Sequence, residues 1–337
     1  MVRSTGFAKL AFWKQCYLSS ALLYGCGLLI YTYVPFFQLI SSHLSSAIAA
    51  FIVYLLCAPI YYLTNRSTIR PSHPLVLVRF VARNLEQLKV CKFCAPSDTE
   101  KLSLQFLTVK LIFLPMMLKF CWENLDAFLY MPGFIFQYQA IIYLIFFVDT
   151  AVFLFAYVFE LRSLGNIVRS VEPTLLGWGV ALVCYPPLNV WITIPMPRDY
   201  NRDYGGEMIT TFFHCAIILF LLIYVAATIA LGAKASNLTN RGIVSKFPYS
   251  IVRHPAYIAK VCSWWLCLIP VVSWPMFLGM SWWTIIYVLR AITEERHLLR
   301  DPEYIAYCRK VRWRFIPGIC WRHLYVRKLI CVLAMLG

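Results

Sequence analysis

Charged residues are scarce in this chain, and acidic residues are scarcer than basic ones. Only 14% of the 337 residues are Asp, Glu, Lys or Arg, whereas 61% are hydrophobic. A soluble domain holds roughly 45–50% apolar and about 25% charged residues. The shortage of charge therefore excludes an ordinary soluble domain and indicates a membrane protein with several spans.

The chain has 15 acidic residues against 31 basic ones, which gives a formal net charge of +16. Nucleic-acid binding would be one explanation, but the sequence shows no Lys/Arg-rich face and no aromatic-basic module, so no nucleic-acid partner is expected. The basic residues instead flank the apolar runs, and many lie in the stretch 65–101. Because Lys and Arg concentrate on the cytoplasmic side of a membrane protein, both termini and this stretch are predicted to be cytoplasmic.

Cysteines number 13. Most lie inside apolar runs, and an odd count so placed excludes a disulfide framework. Cys91 and Cys94 form the only close pair in a polar loop, and a zinc site usually needs a second pair or nearby His ligands. No metal site is predicted. The first apolar run is too extended for a signal peptide and lacks a small-residue cleavage site, so no cleaved leader is expected.

Apolar runs of about 20 residues, the length that spans a bilayer as a helix, recur along the chain. The fold class is therefore predicted to be all-α, a polytopic membrane protein with about eight transmembrane helices. The last two are expected to form a hairpin within 258–290, because that run is too long for one span and is interrupted at Ser273-Trp274-Pro275. The other predicted spans are about 17–40, 45–63, 102–121, 137–159, 173–194 and 209–231.

Three regions are predicted from this order. Residues 1–205 form an N-terminal transmembrane region of unassigned role with about five spans, residues 206–328 form the functional core, and residues 329–337 form an apolar tail too short to cross. Within the first region, the stretch 75–90 has apolar residues at helical spacing with Arg and Lys between them. It is predicted to be either an amphipathic helix on the membrane or an ordinary loop helix.

Two predicted spans contain unusual residues. A carboxylate inside a membrane is costly to bury, so Asp149 is a candidate functional residue, although a cap on a polar patch between helices is the favoured interpretation. Pro186 and Pro187 must kink or break the fifth span. That break would suit a pocket wall with Asn189 as a polar contact, but a structural kink is favoured.

The stretch 242–257, GIVSKFPYSIVRHPAY, is the first of two polar blocks. Pro255 suits the first position of a helix, which makes His254 the expected N-cap. Arg253, His254 and Tyr257 then cluster at a helix N-terminus at the membrane surface, where free N–H groups favour a carboxylate or a phosphate. Alternatively, the block is an interfacial anchor with a snorkelling Arg and a Tyr at headgroup depth.

The second polar block, 294–317, follows the predicted hairpin, which returns the chain to the membrane face that it left. Glu294 and Glu295 end an apolar helix on a side otherwise rich in Arg and Lys. Adjacent residues diverge by about 100° on a helix, so one carboxylate is expected to bind a ligand while the other pairs with an Arg. The alternative is a solvated helix end with Glu294 paired to Arg290.

Together, the two blocks resemble the membrane methyltransferases of the isoprenylcysteine carboxyl methyltransferase and phospholipid N-methyltransferase group. An aromatic corner, R-H-P-x-Y, a membrane hairpin, E-E-x-x-L, Y-x-x-Y and a basic stretch ending in Pro occur in the family's order and spacing. The resemblance covers about 237–318. The residues that carry it are Phe247-Pro248-Tyr249, Arg253-His254-Pro255, Tyr257, Glu294-Glu295, Leu298, Tyr304, Tyr307 and 312–317.

The resemblance implies a cytoplasmic site for S-adenosylmethionine, built from the loop before the hairpin and the tail after it. It also implies a lipophilic methyl acceptor that enters from the bilayer. The candidate catalytic residues are Arg253, Glu294 and Arg312, with Arg314 as an alternative to Arg312 for orienting an anionic group of the acceptor. The candidate cofactor-binding residues are Val244, Phe247, Pro248, Tyr249, His254, Tyr257, Glu294, Glu295 and Tyr307.

The acceptor is left open between the carboxylate of a prenylated or lipid-like molecule and a lipid amine. A carboxylate acceptor needs no base, whereas an amine needs one, for which His254, Glu294 and Tyr249 are candidates. Two other functions are alternatives. One is a sterol-reductase-like NADPH oxidoreductase, whose tail is similar to residues 307–317, and the other is a non-catalytic membrane scaffold.

Overall fold

The structure is a computed structural model that describes residues 10–38, 43–66, 70–89, 92–131, 137–192, 194–195 and 199–319. Helices make up most of the chain, as the sequence predicts. The chain divides into two compact units, Met1–Lys119 and Phe120–Gly337. All residues of the two polar blocks that the structure describes lie in the second unit.

The first unit is built from helices. They are α1 (Phe12–Tyr33), α2 (Pro35–Gln38), α3 (Leu44–Thr64), α4 (His73–Leu88) and α5 (Asp98–Leu129), of which the last runs past residue 119. Helices α1 and α3 pack against each other through aromatic side chains. The Tyr17 hydroxyl donates to the Leu55 carbonyl at 3.1 Å, and the rings of Tyr24 and Tyr54 meet edge to face with centroids 5.5 Å apart.

The predicted amphipathic segment 75–90 forms most of α4. Its Arg83 side chain donates to Glu100 at 3.0 Å. Its Leu85 and Leu88 side chains are exposed. An exposed apolar surface beside basic side chains is what an interfacial helix requires. Contact of α4 with the membrane stays a prediction.

The second unit contains the remaining elements. In chain order they are α6 (Tyr138–Val158), β1 (Ser170–Val171), α7 (Leu175–Leu182), α8 (Leu188–Trp191), α9 (Glu207–Leu231), β2 (Thr239–Asn240), α10 (Pro255–Leu268), α11 (Trp274–Leu298) and α12 (Pro302–Lys310). Helix α9 packs against both α6 and α10. Their shared apolar core includes Ile145, Leu221 and Cys267, all buried. Helix α9 is apolar on nearly all sides, as expected for a helix surrounded by other helices and lipid.

The predicted fifth span, 173–194, does not form one helix. The chain there is divided into α7 and α8, which are eight and four residues long. Pro186 and Pro187 separate the two pieces, because proline cannot donate the backbone hydrogen bond that continues a helix. Asn189 donates to the Cys184 carbonyl at 3.5 Å, which supports the structural interpretation of this break.

The predicted hairpin within 258–290 is formed by α10 and α11, which pack against each other. The interruption falls where Ser273-Trp274-Pro275 predicts it, since Ser273 is the N-cap of α11. Helix α10 has 14 residues, fewer than the roughly 20 that a span requires, whereas α11 has 25. Six helices of the described residues are long and apolar enough to cross a membrane by their length and composition, namely α1, α3, α5, α6, α9 and α11. The count of about eight spans stays a prediction.

Asp149 lies inside α6 and is buried. Its carboxylate accepts hydrogen bonds from the Tyr224 hydroxyl at 2.7 Å and from the Thr228 hydroxyl at 2.6 Å, both on α9. A buried carboxylate needs such donors because it has lost its water. The structure therefore supports the favoured interpretation that Asp149 caps a polar patch between two helices.

Strands β1 and β2 form a short antiparallel ladder ahead of the first polar block. Ser170 pairs with Asn240, and the Glu172 N–H donates to the Leu238 carbonyl at 2.8 Å. The ladder fixes the residues that precede α7 beside the chain that leads into the first block. Its backbone hydrogen bonds therefore fix the position of the Glu172 backbone, and with it the position from which the Glu172 side chain extends.

Asp301, the N-cap of α12, joins this ladder to the second polar block. It accepts from the Asn240 amide at 2.8 Å, from Arg169 at 3.0 Å and from the Glu303 N–H at 3.0 Å. Partial burial raises the pKa of Asp301, but these hydrogen bonds and the Arg169 charge outweigh it, so the pKa lies below its usual range.

We expect Asp301→Asn to lower the free energy of unfolding at neutral pH by about 1 kcal/mol, because charge-assisted hydrogen bonds become neutral ones. A carboxylate with a lowered folded-state pKa stabilises the fold above its unfolded pKa of about 3.9. This contribution is lost as the pH falls through the folded pKa. Thermal unfolding in detergent from about pH 7 to about pH 3 should therefore show a smaller acid-induced loss in the variant than in the wild type.

The matched control is Glu303→Gln, which removes a more exposed carboxylate that contacts the same Arg169. It should cost less stability, because exposed ion pairs contribute little. Identical pH profiles for wild type and Asp301→Asn would show that Asp301 does not couple α12 to the ladder.

Candidate functional site

The hairpin brings the two polar blocks into direct contact. The Arg253 N–H donates to the Trp313 carbonyl at 2.9 Å, and the His254 N–H donates to the Arg314 carbonyl at 3.0 Å. A third hydrogen bond joins the Tyr307 hydroxyl, as donor, to the Tyr249 carbonyl at 2.7 Å. The loop before α10 and the tail after α12 are therefore held together by hydrogen bonds to the backbone.

Glu295 lies at the centre of this contact and is 2% exposed. One carboxylate oxygen lies 3.0 Å from His254 Nε2 and 3.3 Å from Arg253 Nε, and the other accepts from Arg314 at 2.6 Å. All three partners are themselves buried. Glu295 thus joins two residues of the first block to one of the second, and we call these four residues the Glu295 cluster.

Glu294 has a different environment, as the divergence of adjacent helix positions predicts. Its carboxylate accepts one hydrogen bond from the Tyr257 hydroxyl, at 2.6 Å, and is partly exposed. No Arg or Lys of the described residues lies within ion-pair distance of it, so the predicted alternative of a Glu294–Arg290 pair is not formed. The two adjacent carboxylates are therefore divided between a buried cluster and an open surface.

The open surface is one wall of a cleft with a volume of about 400 Å³, part of which is open to solvent. The cleft is bordered by α7, α10 and α11 and by the chain around β1 and β2. Its polar lining residues are Glu172, Ser236, Asn237, Thr239, Tyr257, Arg290, Thr293, Glu294 and His297.

Arg290 and Tyr257 line one part of this cleft, and two further tyrosines surround the Arg290 side chain. The Arg290 guanidinium lies 5.2 Å from the centroid of the Tyr257 ring, 5.6 Å from that of Tyr185 and 6.0 Å from that of Tyr287. It donates a hydrogen bond to the Asn237 side chain. Cation–π contacts of this kind are stronger when the cation is desolvated.

Carboxylates and a histidine form the other side. Glu172 accepts a hydrogen bond from Arg296 at 2.9 Å, and His297 Nε2 lies 2.8 Å from the Ser170 hydroxyl. Glu172 and His297 are buried, and both line the cleft. The cleft therefore presents negative and positive groups to the same small volume.

Two of the predicted site residues, Tyr257 and Glu294, line the cleft. Arg253, His254 and Glu295 belong to the Glu295 cluster, so an acceptor role for Arg253 would require a buried ion pair to open. The same holds for Arg314, the alternative to Arg312. The remaining predicted residues do not line the cleft: Val244, Phe247, Pro248, Tyr249, Tyr307 and Arg312. Of these, Phe247 and Arg312 are exposed.

Sequence reasoning missed Glu172, Asn237 and Arg290. Arg290 carried a usable signal, since a charge within an apolar run is a candidate functional residue. Glu172 and Asn237 carried none, because each lies in a polar loop and reaches the cleft only through the β1–β2 ladder. The lack of a metal site stays a prediction, because Cys91 lies outside the described residues.

We expect Glu294→Gln and Glu295→Gln to have different effects. Loss of the Glu295 charge leaves two buried guanidinium groups without a counter-charge, which should cost about 3–5 kcal/mol of stability. Glu294→Gln should change stability little. It should weaken binding of S-adenosylhomocysteine, the demethylated form of the cofactor that the resemblance implies, by about 1.5–3 kcal/mol, or roughly ten- to a hundredfold.

Thermal unfolding and calorimetric titration of the purified variants separate the two effects. Glu303→Gln, on the exposed side of α12, is the control for removal of a carboxylate. Undiminished binding in both single variants and in the double variant would favour the solvated helix end over a binding site.

Residues 209–302 match the family model described as phospholipid methyltransferase. The matched stretch runs from the third residue of α9 to the first residue of α12, and so contains the hairpin, Tyr257, Arg290, Glu294 and Glu295. Comparison with curated proteins and with solved structures gives no significant match.

Proposed function

We propose that this chain, which carries a domain of the isoprenylcysteine carboxyl methyltransferase and phospholipid methyltransferase family at residues 209–302, is an integral membrane methyltransferase that uses S-adenosylmethionine. Its acceptor is a lipophilic molecule. The observation that carries the proposal is the Tyr257–Glu294 pair, which lines a cleft beside the helix hairpin.

The chemistry of the cleft fits this cofactor. S-Adenosylmethionine offers ribose hydroxyls and an ammonium group, from which a carboxylate can accept hydrogen bonds, and a sulfonium, which aromatic faces can attract. Glu294 provides a carboxylate for the ribose hydroxyls, and Tyr257 provides an aromatic ring that lines the cleft.

When bound, the cofactor supplies a methyl group on a positively charged sulfur for in-line displacement by the acceptor. The protein's own contribution is to hold the reactants in line and to exclude water. Tyr257 fixes the Glu294 carboxylate through their 2.6 Å hydrogen bond. The Glu295 cluster in turn fixes the start of α10 against the tail, so the wall that carries Tyr257 and Glu294 is rigid.

The geometry narrows the choice of base for an amine acceptor. His254 is engaged by Glu295 at 3.0 Å, and Tyr249 does not line the cleft. Of the three candidate bases, Glu294 is the one that lines the cleft, and the Tyr257 hydroxyl occupies only one of its two carboxylate oxygens. An amine acceptor would therefore lose its proton to Glu294, whereas a carboxylate acceptor needs no base.

A lipophilic acceptor also needs an apolar surface next to the cleft. Helix α11 carries exposed Trp274, Leu278, Trp282 and Ile285 along one side, at helical spacing, while its opposite side is buried. A continuous apolar stripe of this kind is expected to face lipid. The same helix carries Arg290 and Glu294, so it extends from the apolar surface to the polar cleft.

We expect purified protein to bind S-adenosylhomocysteine and not NADPH. A ligand that binds only the folded state at 100 times its Kd stabilises the protein by about 2.7 kcal/mol, which thermal shift in detergent detects readily. Glu294→Gln is the control, because it should reduce the shift without changing unfolding in the absence of ligand. Stabilisation by NADPH alone would favour the reductase, and stabilisation by neither would favour the scaffold.

We further expect the stretch 65–101, the Glu295 cluster and both termini to lie in the cytoplasm, because Lys and Arg concentrate there. Short epitope tags inserted at 94–97 and at 203–206 test this in sealed vesicles of known orientation. The first tag should be accessible only from the cytoplasmic side and the second only from the opposite side. The reverse pattern, or both tags on one side, would contradict the proposed topology.

A further inference from the structure

Arg290 is a buried cation for which the described residues supply no carboxylate partner. It is 9% exposed and lines the cleft. Its contacts are the Asn237 side chain and the faces of tyrosine rings, and no described Asp or Glu oxygen lies within ion-pair distance. A buried charge without a counter-charge is strongly destabilising, so a bound anion would be stabilised at this position.

Glu172 presents the opposite sign to the same cleft. It is 2% exposed. Its Oε1 atom accepts from Arg296 at 2.9 Å and from Thr174, whereas its Oε2 atom is buried and has no hydrogen-bond partner among the described residues. A buried carboxylate oxygen without a donor loses the full free energy of its hydration. A ligand that brings a cationic N–H donor would restore it.

The position of the Glu172 carboxylate depends on Gly177, near the start of α7. A Cβ atom on Gly177 would lie 2.8 Å from Glu172 Oε1 and closer still to Glu172 Cγ. Any other residue there would displace the carboxylate. Both residues line the cleft, and both lie before residue 209, outside the matched methyltransferase domain.

Building on the proposed function, we propose that Arg290 and Glu172 form a subsite for the zwitterionic amino-acid end of the cofactor. Arg290 binds its carboxylate, and Glu172 Oε2 accepts a hydrogen bond from its ammonium group. The ligand that satisfies both residues must carry both charges, and an amino-acid end does so. The chain before α9 would then complete a site whose other residues come from the domain itself.

Four ligands separate the contributions in a calorimetric titration of the full-length protein in detergent. S-Adenosylhomocysteine carries both charges, its decarboxylated analogue keeps only the ammonium group, its deaminated analogue keeps only the carboxylate, and 5′-methylthioadenosine has neither. The wild type should bind S-adenosylhomocysteine about ten- to a hundredfold more tightly than either singly charged analogue. It should bind 5′-methylthioadenosine more weakly again.

Two variants should both weaken binding of S-adenosylhomocysteine, but each should weaken binding of a different singly charged analogue. Arg290→Gln should weaken binding of S-adenosylhomocysteine and of the deaminated analogue about ten- to a hundredfold, and leave the decarboxylated analogue unchanged. Glu172→Gln should weaken binding of S-adenosylhomocysteine and of the decarboxylated analogue, and leave the deaminated analogue unchanged. Binding of 5′-methylthioadenosine should be the same in all three proteins, which also verifies that the variants are folded.

The matched controls are Arg300→Gln and Glu303→Gln, both exposed and outside the cleft lining. Neither should change any of the four affinities. If the variants weaken all four ligands equally, Arg290 and Glu172 act through the fold and the subsite is wrong, although the proposed function stands.

The wild type alone gives a test that does not depend on folding of a variant. Equal affinity for S-adenosylhomocysteine and 5′-methylthioadenosine would show that no subsite for the amino-acid end exists. Binding of neither ligand would overturn the proposed function, and the subsite with it. A preference for S-adenosylhomocysteine that disappears in Glu172→Gln would support the subsite, even if Arg290→Gln does not fold.

Discussion

The buried carboxylate of Glu295 is the interaction on which the rest of the site depends. It meets three cationic or cation-forming side chains within 3.3 Å, two from the loop before α10 and one from the tail after α12. Such clusters contribute little net stability compared with apolar packing, but they are costly to break once formed. Their consequence here is positional, because the cluster determines where α10 begins and how the tail crosses it.

Glu295 thereby leaves its neighbour free to act on a ligand. Adjacent helix positions point about 100° apart, so a carboxylate that is fixed in the protein interior directs the preceding one toward the side of the helix. Glu294 consequently meets Tyr257 at the cleft, while Glu295 is surrounded by Arg and His side chains. The same spacing explains why Arg290, one turn before Glu294, also faces the cleft.

Patterns that depend on local chemistry could be predicted from the sequence. Paired carboxylates after a hairpin indicated a shared site and a division of roles, and Pro186-Pro187 indicated a broken helix. The extent of each helix was less predictable, since an apolar run of adequate length does not show whether its helix continues. The run 173–194 is largely apolar, yet the two prolines divide it into α7 and α8. The pairing of Arg253 with Glu295 could not be predicted either, because the two residues are far apart in the sequence.

The part of the site that could not be predicted is the part that depends on long-range pairing. Glu172 lies in a polar loop with no recognisable motif, and only the two-residue ladder with β2 brings its carboxylate to the cleft. The ladder is itself attached to α12 through Asp301, and α12 leads into the tail that supplies Arg314 to the Glu295 cluster. Both walls of the cleft are thus anchored to the same short segment, residues 301–314. A change in that segment would alter the positions of the two walls together, so binding by the cleft and stability of the segment should be coupled.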